Sequence, residues 1–241
     1  MSGHSKWNNI KHKKEKSDAQ KAKIFTKMGR EIAVAAKAGG ADPEVNGRLK
    51  DAIAKARSYN MPNDNIQRVI KKAAGDLNTD NYEDITYEGY GVGGVAVIVE
   101  TLTDNRNRTA GDLRHYFDKF GGNLGTNGSV SWMFDTKGMI IVAKDSGVDE
   151  DEIMMDALDL GADDFSAEGE YYEISTSPEA LREVRDALEA KGYKFESASV
   201  EKIPQTTVTL TDEHDITMME KLIESLEDND DVQEIYHNWE E

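Results

Sequence analysis

Within the first thirty residues, eight lysines (Lys6, Lys11, Lys13, Lys14, Lys16, Lys21, Lys23 and Lys27) and Arg30 stand against only Glu15 and Asp18. The whole chain carries a formal charge of −18. Trp7, His4 and His12 lie among these cations, and the segment has almost nothing that builds a core. Clustered ammonium groups release counterions when they meet phosphates, which offsets the cost of ordering such an arm. His4, Lys6, Trp7, Lys11, His12, Lys13, Lys14, Lys16, Lys21, Lys23, Lys27 and Arg30 are therefore the expected nucleic-acid contacts. Trp7 has two open roles, stacking on a base or sugar and packing against the helices that follow.

Three other segments carry chemistry-bearing residues. Gly89-Tyr90-Gly91-Val92-Gly93-Gly94 has the spacing G-x-G-x-x-G, but a dinucleotide site needs that loop to open a helix. Here Val95-Ala96-Val97-Ile98-Val99 follows, a strand, so a tight turn is expected. Thr103-Asp104-Asn105-Arg106-Asn107-Arg108-Thr109 offers two arginines, Arg106 and Arg108, able to clamp phosphates or to pair with local acids. Asp104 or Asn105 can cap the helix after it. Gly121-Gly122-Asn123-Leu124-Gly125-Thr126-Asn127-Gly128-Ser129 reads either as a flexible contact element or as a chain reversal.

Catalytic and metal chemistry find little support. The chain has no cysteine and no G-x-S-x-G elbow. Its five histidines (His4, His12, His115, His214, His237) show no metal-ligand spacing. No enzyme activity, metal or cofactor is expected; a reaction at Arg106 and Arg108 ranks last. The longest apolar run is far shorter than a membrane helix, and the opening residues lack the apolar stretch of a secretory signal. A cytoplasmic protein without membrane partners, monomeric by preference, is expected.

The elements that position these groups follow from hydrophobic periodicity and charge. Residues 1–72 carry a net charge of +10 and residues 73–241 carry −28. One end is drawn to phosphates and the other is repelled. From Asp18, Phe25, Met28, Ile32, Ala35 and Ala36 recur at helical spacing up to Gly39-Gly40. Asp42-Pro43-Glu44 is expected to start a second helix carrying Val45, Leu49, Ile53 and Ala56. After Met61-Pro62, Asn60 or Asn63 caps a third helix with Ile66, Val69, Ile70 and Ala73. Arg48, Lys50, Lys55, Arg57, Arg68, Lys71 and Lys72 are expected on the outer surface of this bundle.

Beyond Gly75, strands and helices alternate. Strands are expected at 94–102, 129–134, 139–143, 163–166, 171–175, 195–203, 206–210 and 232–236, with helices at 106–120, 149–160, after Ser177-Pro178, and at 212–226. The expected fold class is α+β and multi-domain. An N-terminal three-helix module precedes two ferredoxin-like βαββαβ modules, one inserted in the other. The division is a basic arm over 1–20, a helical domain over 21–78, a discontinuous domain over 79–135 and 205–241, and an insert over 136–204.

The start Gly3-His4-Ser5-Lys6-Trp7 and Asn9-Ile10-Lys11-His12-Lys13-Lys14 resembles that of the YebC/PmpR family. The likeness continues through Lys23-Ile24-Phe25-Thr26-Lys27, Asn60-Met61-Pro62-Asn63-Asp64-Asn65-Ile66, Tyr87-Glu88-Gly89-Tyr90-Gly91, the stretch from Glu100 to Thr109, Gly121-Gly122-Asn123-Leu124-Gly125 and Gly128-Ser129-Val130-Ser131-Trp132-Met133-Phe134. Val92 departs from it, standing where that family usually has proline. The resemblance implies a helical module plus two α+β modules in a DNA-binding transcriptional regulator. The family also includes a mitochondrial translational activator, and bacterial members are linked to ribosomes stalled on proline-rich stretches. The resemblance thus implies a nucleic-acid partner, DNA or ribosomal RNA, and with the second alternative a ribosome.

Overall fold

The computed structural model describes residues 18–75, 82–167 and 169–240. Three helices come first: α1 (Asp18–Gly39), α2 (Gly47–Ser58) and α3 (Asn63–Gly75). Met28, Ile32, Leu49, Ile53, Ile66 and Ile70 meet in their shared core, one apolar stripe from each helix. The second helix starts later than expected. Asp42 instead closes a turn, accepting from the Glu44 amide through its side chain at 3.0 Å and from the Asn46 amide through its carbonyl at 3.0 Å. Asn46 is the true N-cap: its Oδ1 accepts from the Leu49 amide at 3.1 Å. Its Nδ2 donates to the Ala35 and Gly40 carbonyls at 2.8 Å each, fastening the end of α1 to the start of α2. Val45, expected on the buried face, is solvent-exposed.

The first sheet is built from β1 (Glu83–Tyr90), β2 (Ala96–Thr103), β3 (Asn123–Leu124) and β9 (Val232–His237), in the order β3-β1-β2-β9. Helices α4 (Arg106–Lys119) and α7 (Glu213–Asp228) cover one face over Val95, Val97, Val99, Phe117, Leu222 and Leu226. The glycine motif makes the turn between β1 and β2: Val92–Gly94 forms a short 3-10 turn with Gly93 at φ 67°. The phosphate-cradle alternative is thereby excluded by context.

The insert leaves this layer at Phe134 and returns at Pro204, two residues paired with each other at the base of its sheet. Its elements are β4 (Phe134–Ala143), α5 (Glu150–Asp159), β5 (Asp164–Ser166), β6 (Tyr171–Thr176), α6 (Leu181–Ala190) and β7 (Ser197–Pro204), with sheet order β5-β6-β4-β7. That is the antiparallel ferredoxin-like layout, over a core of Ile140, Val142, Ile153, Ile174, Val184 and Leu188.

The outer sheet has the same spatial layout with one substitution in chain order. The slot expected for residues 206–210 is filled by β1, which precedes the rest. Val208–Thr209 (β8) instead pairs in parallel with Trp239–Glu240 (β10) as a separate ribbon. The strand expected over 129–134 is replaced by a 3-10 turn, Ser131–Met133, and Phe134 belongs to the insert's sheet.

On β9, burial depresses the His237 imidazole from 6.5 to about 4, and a hydrogen bond with the Trp239 backbone offsets this only in part. A histidine held neutral in the fold while the unfolded chain protonates costs stability as pH drops through 6.5, and the loss levels off below about 4. The expected total is about 3 kcal/mol. Urea unfolding of H237Q should lack that part of the acid sensitivity, and an NMR titration of His237 should show an apparent value near 4.

Candidate nucleic-acid interface

Of the expected contacts, His4, Lys6, Trp7, Lys11, His12, Lys13, Lys14 and Lys16 lie outside the described residues. Lys21 is exposed in the first turns of α1. The next three cations of that helix face the protein itself. Lys23 Nζ meets Asp228 at 2.7 Å, and Lys27 Nζ donates to the Glu227 carbonyl at 2.6 Å. Arg30 Nη1 reaches the Asp230 carbonyl and the Asp231 carboxylate, both at 2.9 Å. The C-terminal end of α7 has unsatisfied carbonyls and a negative dipole end, so cations from a neighbouring helix are favoured there. Lys23, Lys27 and Arg30 therefore form a seam between the helical module and the outer sheet.

Asp231 is the centre of that seam. Its side chain is 5% exposed. Oδ1 takes Arg30, while Oδ2 takes Arg108 Nη2 at 2.8 Å, Thr109 Oγ1 at 2.8 Å and Thr103 Oγ1 at 3.3 Å. Burial alone would raise this carboxyl, but the hydrogen bonds from Arg108, Thr109 and Arg30 hold it below the usual range. Arg108 also bonds Asp104 at 2.8 Å, so its guanidinium is a clamp inside the fold. Asn105, not Asp104, caps α4, accepting from the Arg108 amide at 3.1 Å. Arg106 is exposed, and its carbonyl accepts from the Tyr87 hydroxyl at 3.4 Å. The polar density of residues 103–109 thus organises a joint.

Of the cations expected on the bundle's outer surface, Lys50 and Lys55 are instead partly buried, and Arg48, though exposed, is paired. Arg48 pairs with Asp84 at 2.9 Å and Lys50 with Asp186 at 2.7 Å. Lys55 lies between Glu31 at 3.1 Å and Glu234 at 3.0 Å. In the reverse sense, Asp51 on α2 receives Arg182 at 2.6 Å and Arg185 at 2.9 Å from α6. The basic module is wedged against both acidic sheets, and much of its charge is neutralised within the molecule.

The outward cations cluster on α3, with Lys21 and Lys37 of α1 and Arg57 of α2 also exposed. Ile66, Ile70 and Ala73 are its buried stripe. The opposite face presents Gln67, Arg68, Lys71 and Lys72 to solvent, the last three at i, i+3 and i+4. Arg57 is exposed beside it, its Nε held by Asn63 Oδ1 at 3.2 Å. Three cations within about one helical turn present the charge and reach needed for adjacent phosphates.

A second outward feature is the glycine- and asparagine-rich loop. It is pinned. Glu88, a buried carboxylate at the end of β1, accepts from the backbone amides of Gly128, Val130 and Ser131 at 2.8, 2.9 and 2.8 Å. Burial acts to raise its carboxyl, and these three amides outweigh it, so the group stays ionised below the ordinary range. Gly122 is required because a Cβ there would lie 2.5 Å from the Tyr90 carbonyl. E88Q removes the charge from a nest of three donors; the expected cost is about 2 kcal/mol in urea unfolding, with faster amide exchange confined to residues 125–131. Neither Glu88 nor Asp231 is conspicuous in the sequence, because each is one acid among 47 Asp and Glu residues.

Among the described residues, Asp212, His214 and Asp215 are the one trio close enough to share an ion. The Asp212 carboxylate is already the N-cap of α7, accepting from the His214 and Asp215 amides. No described helix is long and apolar enough to cross a membrane.

The family model for the TACO1/YebC protein N-terminal domain matches residues 5–76, and that for the TACO1/YebC second and third domain matches residues 82–239. A relative from Acetivibrio thermocellus, named probable transcriptional regulatory protein, is 66% identical over 239 residues, with 99% of each chain covered. A relative of the same name from Caldicellulosiruptor saccharolyticus is 61% identical over 241 residues, covering 100% of this chain and 99% of its own. The crystal structure of a conserved hypothetical protein from Aquifex aeolicus superposes with a TM-score of 0.80 at 46% identity. That match covers 93% of this chain and 92% of the other.

Proposed function

The chain belongs to the TACO1/YebC family, and from that premise we propose that it is a non-enzymatic regulator of gene expression that binds nucleic acid through the outward face of α3 together with its lysine-rich N-terminal segment. One observation carries this reading: Arg68, Lys71 and Lys72 stay solvent-exposed on a single helix face, while Arg48, Lys50 and Lys55 are paired with acids of the α+β modules. The relatives' name, probable transcriptional regulatory protein, supports the regulatory part, with DNA as the first target. The acidic modules repel phosphates and so orient the approach. The protein acts in the cytoplasm.

A second reading, a ribosome-associated translation factor, is favoured by the tip of the insert. Residues 145–164 hold nine acids and no Lys or Arg, and Met155 and Leu158 are exposed on α5. An acidic surface with apolar anchors suits a basic protein, and basic proteins stand beside RNA on ribosomes. Affinities for a promoter duplex, a random duplex and ribosomal particles at matched salt decide between the two. Preference for the promoter duplex supports the transcriptional reading. Equal duplex affinities with much tighter ribosome binding support the other, and no binding to any of the three overturns both.

A further inference from the structure

Trp132 is 67% exposed, a large apolar surface to leave in water. It is nonetheless held in place. Its indole Nε1–H donates to the Ser129 carbonyl at 3.1 Å, and the Tyr90 hydroxyl donates to the same oxygen at 3.1 Å. The loop beneath is fixed by Glu88 through three backbone amides. The indole donor is therefore satisfied internally, and what the side chain offers outward is its ring surface. Little rotational freedom remains to be lost when a flat partner settles on it.

Charge selects that partner. Between Lys119 and Asp135 the chain has no ionisable side chain, although 32% of its residues are charged. Asn123, Thr126, Asn127 and Ser131 are exposed along this stretch, supplying neutral donors and acceptors at short reach. In an acidic body, such a neutral island is a place that a phosphate-bearing strand can approach without local repulsion. An aromatic ring beside amide and hydroxyl groups matches the stacking surface and the edges of a nucleobase, once that base is not already stacked and paired in a duplex.

From this juxtaposition we infer that Trp132 and the 121–131 loop form a stacking site for an unpaired nucleobase, separate from the phosphate-binding face of α3. The inference rests on the nucleic-acid reading above and adds to it a preference for single-stranded or extruded bases. Because the loop is uncharged, its contribution is independent of salt.

Affinities are measured on the full chain with Trp7 in place, and fluorescence on the full chain carrying W7F, so that this expected contact is intact wherever binding is scored. Trp239 is buried, so the fluorescence change on binding reports Trp132. The probes are a uridine oligoribonucleotide, the matching deoxyribonucleotide and a duplex of equal length. Both single strands should quench the fluorescence, the stronger quencher identifying the preferred sugar, and the duplex should not. W132A should weaken single-strand binding about ten-fold without changing the slope of log affinity against log salt. W132F, which keeps a ring but lacks the donor to Ser129, should retain most of the affinity. If the oligonucleotides bind but W132A matches the parent, the stacking site is wrong and the α3 interface stands. Equal quenching by the duplex, or quenching by an unstructured uncharged peptide and not by oligonucleotides, also overturns it. If no oligonucleotide binds the parent, the nucleic-acid reading falls with it.

Discussion

Replacing Asp231 with alanine lowers folding stability by about 3 kcal/mol, the low end of the cost of breaking a buried ion pair because the Arg108 partner is half-exposed. The substitution leaves Arg30, Arg108, Thr103 and Thr109 without their common acceptor. The loss is not confined to one module, since Arg30 belongs to α1 and Asp231 precedes β9. Urea unfolding followed by circular dichroism should show a lower midpoint. Amide exchange should rise together in α1 and at the end of α7, whose other ties include the Lys27 bond to the Glu227 carbonyl and the Lys23 pair with Asp228. D231N, which keeps shape and one acceptor oxygen, should fall between the two. The acid limb follows from the same group: its carboxyl is held below the ordinary aspartate value, so this stability is present above about pH 4 and lost as pH falls through the folded-state value. A D231A variant as stable as the parent would mean that the seam contributes nothing to holding the modules together.

The largest functional effect is expected at α3. Changing Arg68, Lys71 and Lys72 to alanine removes three cations that are solvent-exposed among the described residues, opposite the buried stripe of the helix, so the fold is retained. Each phosphate contact contributes roughly 0.9 to the slope of log affinity against log salt on B-DNA and roughly 0.7 on single strands. The triple variant should flatten that slope by about 2 to 3 and lower affinity about a hundred-fold at 0.1 M salt. By contrast, K50A and R48A remove cations already paired with Asp186 and Asp84, so their effect should appear in stability and not in the slope.

Much of the architecture was legible in the sequence because it rests on local periodicity. The three helical stripes, the apolar run Val95–Val99 that leads into β2 and the αβ alternation of the insert follow from side-chain spacing alone. Strand β1 was not legible. Glu83, Asp84, Thr86 and Glu88 interrupt it, and the apolar content that marks a strand is replaced by contacts to the helical module and the loop, such as Asp84 with Arg48 and Glu88 with Gly128. Residues 206–210 alternate like a strand and do pair, but with the C-terminal ribbon, a choice set by distant chain.

The charge layout of the proposed interface was half legible. Composition located the excess of positive charge but not which cations stay free, because their partners lie far along the chain: Lys27 and Glu227 are 200 residues apart, and Lys50 and Asp186 are 136 apart. A helical-wheel reading of α2 assigns Lys50 and Lys55 to solvent, since it has no knowledge of the acidic sheets against that face. For α3 the same reading succeeds, as Gln67, Arg68, Lys71 and Lys72 are exposed among the described residues.

Photo-crosslinking of the full chain to a bound oligonucleotide, with the linked peptides identified by mass spectrometry, tests most directly whether phosphates meet the basic module and avoid the acidic one. The expected map places crosslinks in residues 63–75 and in the first thirty residues, with additional base-dependent links at residues 121–132 on single strands. Crosslinks concentrated in residues 145–164 or 213–228, with 63–75 unlabelled, would contradict the account.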